Sequence, residues 1–138
     1  MIQLTRRYRF SASHRLHAKG LPDDQNREIY GKCNNPFGHG HNYEVEVTVR
    51  GEVDGETGRV VDLTDLDRLV QQTVTGPLEY RNLNEEAPEF ESLVPTTENL
   101  AVVIDRRLRA AWPEAFPQER PHLERVRIWE TERNIFEV

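Results

Sequence analysis

The chain has 138 residues, 36% of them hydrophobic and 30% charged, with a formal net charge of −6. That length predicts one domain with a modest core, whose strand edges can rely on neighbouring subunits for cover. The acidity argues against a general nucleic-acid surface, no apolar run reaches membrane-spanning length, and Met-Ile-Gln-Leu-Thr-Arg-Arg is not a signal peptide.

Residues 2–14 read as a first strand, with Leu4, Tyr8, Phe10, Ala12 and His14 on one parity and Gln3, Thr5, Arg7, Arg9, Ser11 and Ser13 on the other. Residues 15–40 read as a long loop rich in Pro, Gly, Asn and Asp, a length that is usually functional. Residues 41–53 read as a second strand whose apolar face carries Tyr43, Val45, Val47 and Val49; His39 and His41 share that parity. Asp54-Gly55-Glu56-Thr57-Gly58 is a turn, and Arg59-Val60-Val61-Asp62 leads extended into a helix. Leu63, Leu66, Leu69, Val70 and Val74 have helical spacing, Asp62 or Thr64 can cap the start, and Gly76-Pro77 stops it. Residues 77–96 read as an acidic second loop. Thr97 caps a second helix with the stripe Leu100, Val103, Ile104, Leu108 and Ala111, ended by Trp112-Pro113. Strands at 123–130 and 134–138 follow, joined by a turn at Thr131-Glu132-Arg133-Asn134. The order predicts an α+β fold: a four-stranded antiparallel sheet with two helices on one face.

Three imidazoles, His14, His39 and His41, thus face the core at neighbouring strand ends, with Cys33 six residues before His39. A single buried His usually just hydrogen-bonds a carbonyl, and an H-x-H pair can arise by chance. Three in phase need a partner, because unpaired buried polar groups are costly, and a metal supplies one. Three nitrogen ligands leave one position open, the mark of a catalytic zinc; with Cys33 as fourth ligand the site would be structural. The lone Cys33 cannot form an intrachain disulfide and suits a reducing cytoplasm. A lone buried Cys is more often a small apolar filler than a nucleophile; the neighbouring glycines and His pair argue otherwise here. His17 and His122 read as surface or supporting residues, although His17 can still enter the site. In the third strand Glu130 shares the parity of Val126 and Ile128. It either ends the strand in solvent or points inward, where a carboxylate suits the paired N–H donors of an amino-pyrimidinone edge.

These residues resemble the 6-pyruvoyl-tetrahydropterin synthase family, to which 6-carboxytetrahydropterin synthases are related. The likeness covers nearly the whole chain. It is carried by Phe10-Ser11-Ala12-Ser13-His14-Arg15-Leu16, by Gly31-Lys32-Cys33-Asn34-Asn35-Pro36 through His39-Gly40-His41-Asn42-Tyr43, by Thr96-Thr97-Glu98-Asn99-Leu100-Ala101, and by Glu130-Thr131 with Asn134-Ile135. The five residues between Cys33 and His39 match the biopterin-pathway spacing; the 6-carboxy enzymes tend to have a shorter gap. The resemblance implies the tunnelling fold, in which trimers close a barrel of strands, two trimers stack into a homohexamer, and active sites lie between subunits. It implies zinc on His14, His39 and His41, Cys33 as general base, and Glu130 as anchor of the pterin ring, helped by Thr96, Thr97 and Glu98. The implied activity is that of a carbon-oxygen lyase acting on phosphates, with no membrane or nucleic-acid partner. It turns 7,8-dihydroneopterin triphosphate into 6-pyruvoyl-tetrahydropterin, loses triphosphate and needs no nicotinamide or flavin. Arg15, Lys19, Arg27 and Lys32 lie where some can meet the triphosphate, though each singly reads as surface charge.

One segment departs from the family, which usually carries Asp-His after Pro-Leu as a relay with the Cys. Here Pro77-Leu78 is followed by Glu79 and Tyr80. A phenol titrates near 10 against about 6.5 for His, so it does not shuttle protons in the same way at neutral pH. Four alternatives therefore stand beside the synthase: 6-carboxytetrahydropterin formation, aldolase-like cleavage of a dihydropterin side chain, a noncatalytic pterin binder, and a structural zinc protein.

Overall fold

The alternation in the first fourteen residues produces β1 (Ile2–His14), which pairs antiparallel with β2 (His39–Gly51) from Ile2 opposite Gly51 to His14 opposite His39. The computed structural model describes residues 1–118 and 120–138. On its other side β2 meets β4 (His122–Trp129), with a register shift between Thr48 and Val49, and β5 (Ile135–Glu137) adds antiparallel to β4. A fifth strand, β3 (Arg81–Asn82), joins parallel to β1 at Ala12 and Ser13, so the order is β3-β1-β2-β4-β5. The sheet is therefore five-stranded and mixed, not the four antiparallel strands expected. A strand of two residues has no periodicity to read, and its pairing depends on where the preceding helix delivers it.

Both expected loops contain further structure. The first holds α1 (Asp23–Tyr30) and a 3-10 turn, Gly31–Asn34. Only Asn26 of α1 is buried, so the helix lacks the apolar stripe that would reveal it. The second holds α3 (Gly76–Leu78), β3, α4 (Leu83–Glu86) and the 3-10 turn Pro88–Glu91. Before them, α2 (Leu63–Val70) starts where Asp62 accepts the amides of Thr64 at 2.8 Å and Asp65 at 3.4 Å. Gly76-Pro77 does not stop it. The chain winds on through a π-helical turn, Gln71–Thr75, into α3. At Gly76 a Cβ would lie 2.5 Å from the carbonyl oxygen of Gln71, so the wider turn needs glycine there. An α-helix would bond the amide of residue 77 to the carbonyl of Thr73; Pro77 has none, and Arg107 Nη1 donates to that carbonyl at 3.2 Å instead.

The long helix α5 (Thr97–Ala115) is capped by Thr96, whose hydroxyl accepts the Asn99 amide at 3.2 Å, not by Thr97. It runs past Pro113 by two residues. α2 and α5 cover one face of the sheet. There Phe10, Val45, Val47, Val126 and Ile128 pack with Leu66, Val70, Val74, Leu100, Ile104 and Leu108, all 2% exposed or less. Each such side chain contributes roughly 1.5–3 kcal/mol through burial. The other face is polar: Thr5 and Thr48 share a hydrogen bond of 2.8 Å, and Glu46 accepts from Trp129 Nε1 at 2.8 Å and Arg7 Nε at 3.3 Å. No described helix is long and apolar enough to cross a membrane.

Candidate metal centre and ring pocket

Strand pairing builds the histidine cluster. β1 ends at His14 and β2 begins at His39, directly opposite, while His41 faces Ala12 one step further along. The strand does reach back to His39, because Gly38, at φ +71°, lets the chain pass over His14. A Cβ at Gly38 would stand 2.7 Å from the His14 carbonyl oxygen. The ring centroids are 4.7–5.2 Å apart, and one ligand atom from each ring lies within 4.8 Å of the others. Among the described residues, these three form the group able to hold a metal ion; Cys33 is outside it.

Second contacts set the rings. His14 Nδ1 lies 2.9 Å from the carbonyl of Pro95, which can only accept, so Nδ1 carries the proton. The Nε2 lone pair then faces His41 Nε2 at 3.1 Å. Burial pushes the buried His14 down to about 4. Burial lowers His41 as well, with the nearby Glu130 opposing it. Neutral imidazole is the form that binds metal. His39 Nε2 is buried with no hydrogen-bond partner among the described residues. A lone pair left unpaired beside two converging imidazole nitrogens fits a cation.

Glu130 follows β4 on the histidine side of the sheet. Its Oε2 accepts a hydrogen bond from Thr97 Oγ1, and its Oε1 lies 3.7 Å from His41 Nε2. Trp129, the residue before, turns to the opposite face and donates to Glu46. A turn closed by the hydroxyl of Thr131, which takes the amides of Arg133 and Asn134, fixes the approach. Cys33 sits half-buried on the 3-10 turn as a free thiol. Burial pushes its thiol up, and the negative charge of Glu130 adds to this.

The remaining expected residues separate. Thr96 caps α5, and Glu98 is exposed on its first turn. Glu79 and Tyr80 stand at the edge of β1: Glu79 Oε2 accepts the amide of Ser11 at 3.3 Å, and the Tyr80 amide donates to the carbonyl of Ser11 at 2.6 Å. The Tyr80 side chain is 83% exposed and its φ is +58°, a strained value for a non-glycine residue. Together with Ser13, Gly40 and Asn42 it lines a cleft of ≈ 300 Å³. Of the basic residues, Arg15 Nε donates to the carbonyl of Asn34 at 3.3 Å and Lys19 Nζ to that of Glu91 at 3.2 Å.

Several supporting residues escaped sequence reasoning. The buried Asn26 makes four hydrogen bonds to the backbone of Ala18, Leu21 and Pro22. Asn34 ties the carbonyl of Leu16 at 2.7 Å to His17 Nδ1 at 3.0 Å, so His17 braces the loop. Asn84 holds both the amide and the carbonyl of Arg15, at 2.7 Å and 2.8 Å. Tyr43, read only as an apolar strand residue, brings its hydroxyl within 3.3 Å of His14 Nδ1. Their sequence signal was no more than asparagine in loops and a tyrosine on an apolar face.

The chain matches the family model described as 6-pyruvoyl tetrahydropterin synthase over residues 3–138. It is 50% identical to a 6-pyruvoyl tetrahydrobiopterin synthase of Poecilia reticulata over 132 residues, covering 96% of this chain and 86% of that one. Against the Homo sapiens protein of the same description it is 46% identical over 133 residues, covering 96% and 88%. The solved structure of the Caenorhabditis elegans 6-pyruvoyl tetrahydropterin synthase superposes with a TM-score of 0.88 at 38% identity, covering 99% of this chain and 94% of that one.

Proposed function

Because the chain belongs to the 6-pyruvoyl tetrahydropterin synthase family, we propose that it converts 7,8-dihydroneopterin triphosphate into 6-pyruvoyl-tetrahydropterin with release of triphosphate. The observation that carries this reading is the pairing of two half-sites: three converging imidazoles, with His39 Nε2 unpartnered among the described residues, and a carboxylate beside them on Glu130. His14, His39 and His41 would hold zinc, which when bound acts as a Lewis acid on the hydroxyl groups of the substrate side chain. Glu130 accepts the ring's amino and N–H donors, while Thr97 fixes one of its oxygens. Thr96 keeps the first turn of α5 in place behind it. Cys33 takes a proton from the side chain. Burial and Glu130 push that thiol up, so a positive charge beside it is required for proton removal at neutral pH.

Glu79 and Tyr80 occupy the family's Asp-His positions. Their bonds to Ser11 and the exposure of Tyr80 support delivery to a neighbouring subunit, in a homohexamer of two trimers whose strands close a barrel. The free thiol of Cys33 suits a reducing compartment such as the cytoplasm. Tyr80 also favours a second reading, in which the same site makes a 6-carboxy product or cleaves a related dihydropterin side chain. Incubating zinc-loaded protein with dihydroneopterin triphosphate and identifying the products by mass spectrometry decides between them. The expected products are 6-pyruvoyl-tetrahydropterin and triphosphate; unreacted substrate or a shortened side chain overturns the first reading.

A further inference from the structure

His14 and Glu130 lie on different strands, yet one tripeptide holds both. Pro95 presents its carbonyl to His14 Nδ1 at 2.9 Å, and Thr97 donates its hydroxyl to Glu130. Between them Thr96 accepts the amide of Asn99 at 3.2 Å, which pins the tripeptide to the first turn of the 19-residue helix α5. Tyr43, 1% exposed, completes the connection. Its hydroxyl lies 3.3 Å from His14 Nδ1, while its ring stacks on Phe10 with centroids 5.1 Å apart. The ends of this network fix its polarity. A carbonyl can only accept from His14, and the Glu130 carboxylate accepts from Thr97. His14 Nδ1 and the Thr97 hydroxyl are therefore both donors, and neither can reverse without losing a buried bond.

We infer that Pro95, Thr96 and Thr97, with Tyr43, form a positioning strap that sets His14 and Glu130 as one unit, so that a divalent cation on the histidines tightens the hold on a pterin ring whose own atoms do not reach that cation. The inference rests on the reading of Glu130 as ring anchor. Its physical basis is positional: fixing His14 through Nε2 also fixes the tripeptide that holds Glu130, so a ring that binds after the metal pays less of the ordering cost. A second route exists through space, because His41 Nε2 is 3.7 Å from Glu130 Oε1. The two routes differ in one respect: only the strap needs the hydroxyls of Tyr43 and Thr97.

The test is calorimetric titration of 7,8-dihydropterin bearing no side chain into the full chain, with and without one equivalent of Zn2+ per subunit. In the unmodified protein zinc should tighten ring binding about fivefold or more, and the ring should tighten zinc binding by the same factor in chelator competition. In Tyr43→Phe, which keeps the stack on Phe10, and in Thr97→Val, the factor should fall below about twofold. Thr97→Ser should restore it. Circular dichroism shows whether each variant is folded; if Thr97→Val is not, Tyr43→Phe decides alone. Full coupling in Tyr43→Phe assigns the effect to the direct route and overturns the strap. Ring binding without any zinc dependence in the unmodified protein does the same, leaving the ring-anchor reading intact. No ring binding at all removes the ring anchor and the strap with it.

Discussion

Thr97 and Glu130, 33 residues apart, share a hydrogen bond that joins the first turn of α5 to the end of β4. The helix thereby enters the pocket through a side chain that does not cap it. The hydroxyl a sequence reader would assign to the cap belongs instead to the carboxylate, and Thr96 takes the cap.

Glu130→Gln should weaken pterin binding by about 1.5–3 kcal/mol, the range for hydrogen bonds to a charged group. One acceptor becomes a donor, and it then faces the ring's N–H groups. Zinc content should stay near that of the parent protein. Calorimetry that gives equal pterin affinity for the two proteins removes Glu130 from ring recognition.

His39→Ala should cost most of the bound zinc, because it deletes the buried Nε2 that has no hydrogen-bond partner among the described residues. Gly38→Ala should act in the same direction without touching a ligand. Its Cβ would meet the His14 carbonyl at 2.7 Å, and its φ of +71° disfavours any side chain. Metal analysis of the purified variants checks both. Full zinc retention by His39→Ala would show that the metal is held elsewhere.

Cys33→Ala should keep zinc and lose turnover. The thiol lies outside the group of three ligand atoms that come within 4.8 Å of one another. If zinc leaves with the thiol, Cys33 is a fourth ligand and the site is structural.

Stability of the chelator-treated protein should depend on pH through His14. The folded chain holds this ring neutral, with its titration pushed down to about 4, whereas in the unfolded chain it titrates near 6.5. Between those values the unfolded chain binds more protons. The contribution is therefore fully present above about 6.5 and is lost as the pH falls toward 4. It amounts to an order of magnitude of about 3 kcal/mol, and His41 adds in the same direction. Urea unfolding at pH 7.5 and pH 5 measures the part of it lost by pH 5. Equal stability at the two values contradicts the assignment of neutral, desolvated imidazoles.

Tyr80→Phe should lose a large part of the rate while sparing zinc and ring binding, because Tyr80 sits at the edge of β1, bonded to Ser11 through its backbone alone. Mixing Tyr80→Phe subunits with Cys33→Ala subunits should restore activity if the two residues serve one site from different chains. A mixture as inactive as its components places them in the same chain or outside the reaction. Normal turnover by Tyr80→Phe alone makes the residue a packing element.

The sequence by itself determined the long strands and the inward-facing histidines, because period-two alternation is a local property. Once Tyr43, Val45 and Val47 choose the apolar face, His39 and His41 go with them, and the same argument carries His14 on the neighbouring strand. Leu63 to Val74 and Leu100 to Leu108 announced their helices through an apolar stripe in the same local way. What only the tertiary structure decided is where chain segments meet. β3 exists because the helical run continues through Gly76 and Pro77, and that run continues because Arg107, thirty-four residues beyond Thr73, takes the carbonyl that Pro77 leaves free. α1 is held by the buried amide of Asn26, whose bonds go to loop backbone and leave no hydrophobic pattern. The choice between Thr96 and Thr97 as cap, the partnership of Thr97 with Glu130, and the outward position of Tyr80 all depend on contacts between residues distant in sequence. Spacing along a chain records which face a side chain takes; it does not record which neighbour the fold brings to that face.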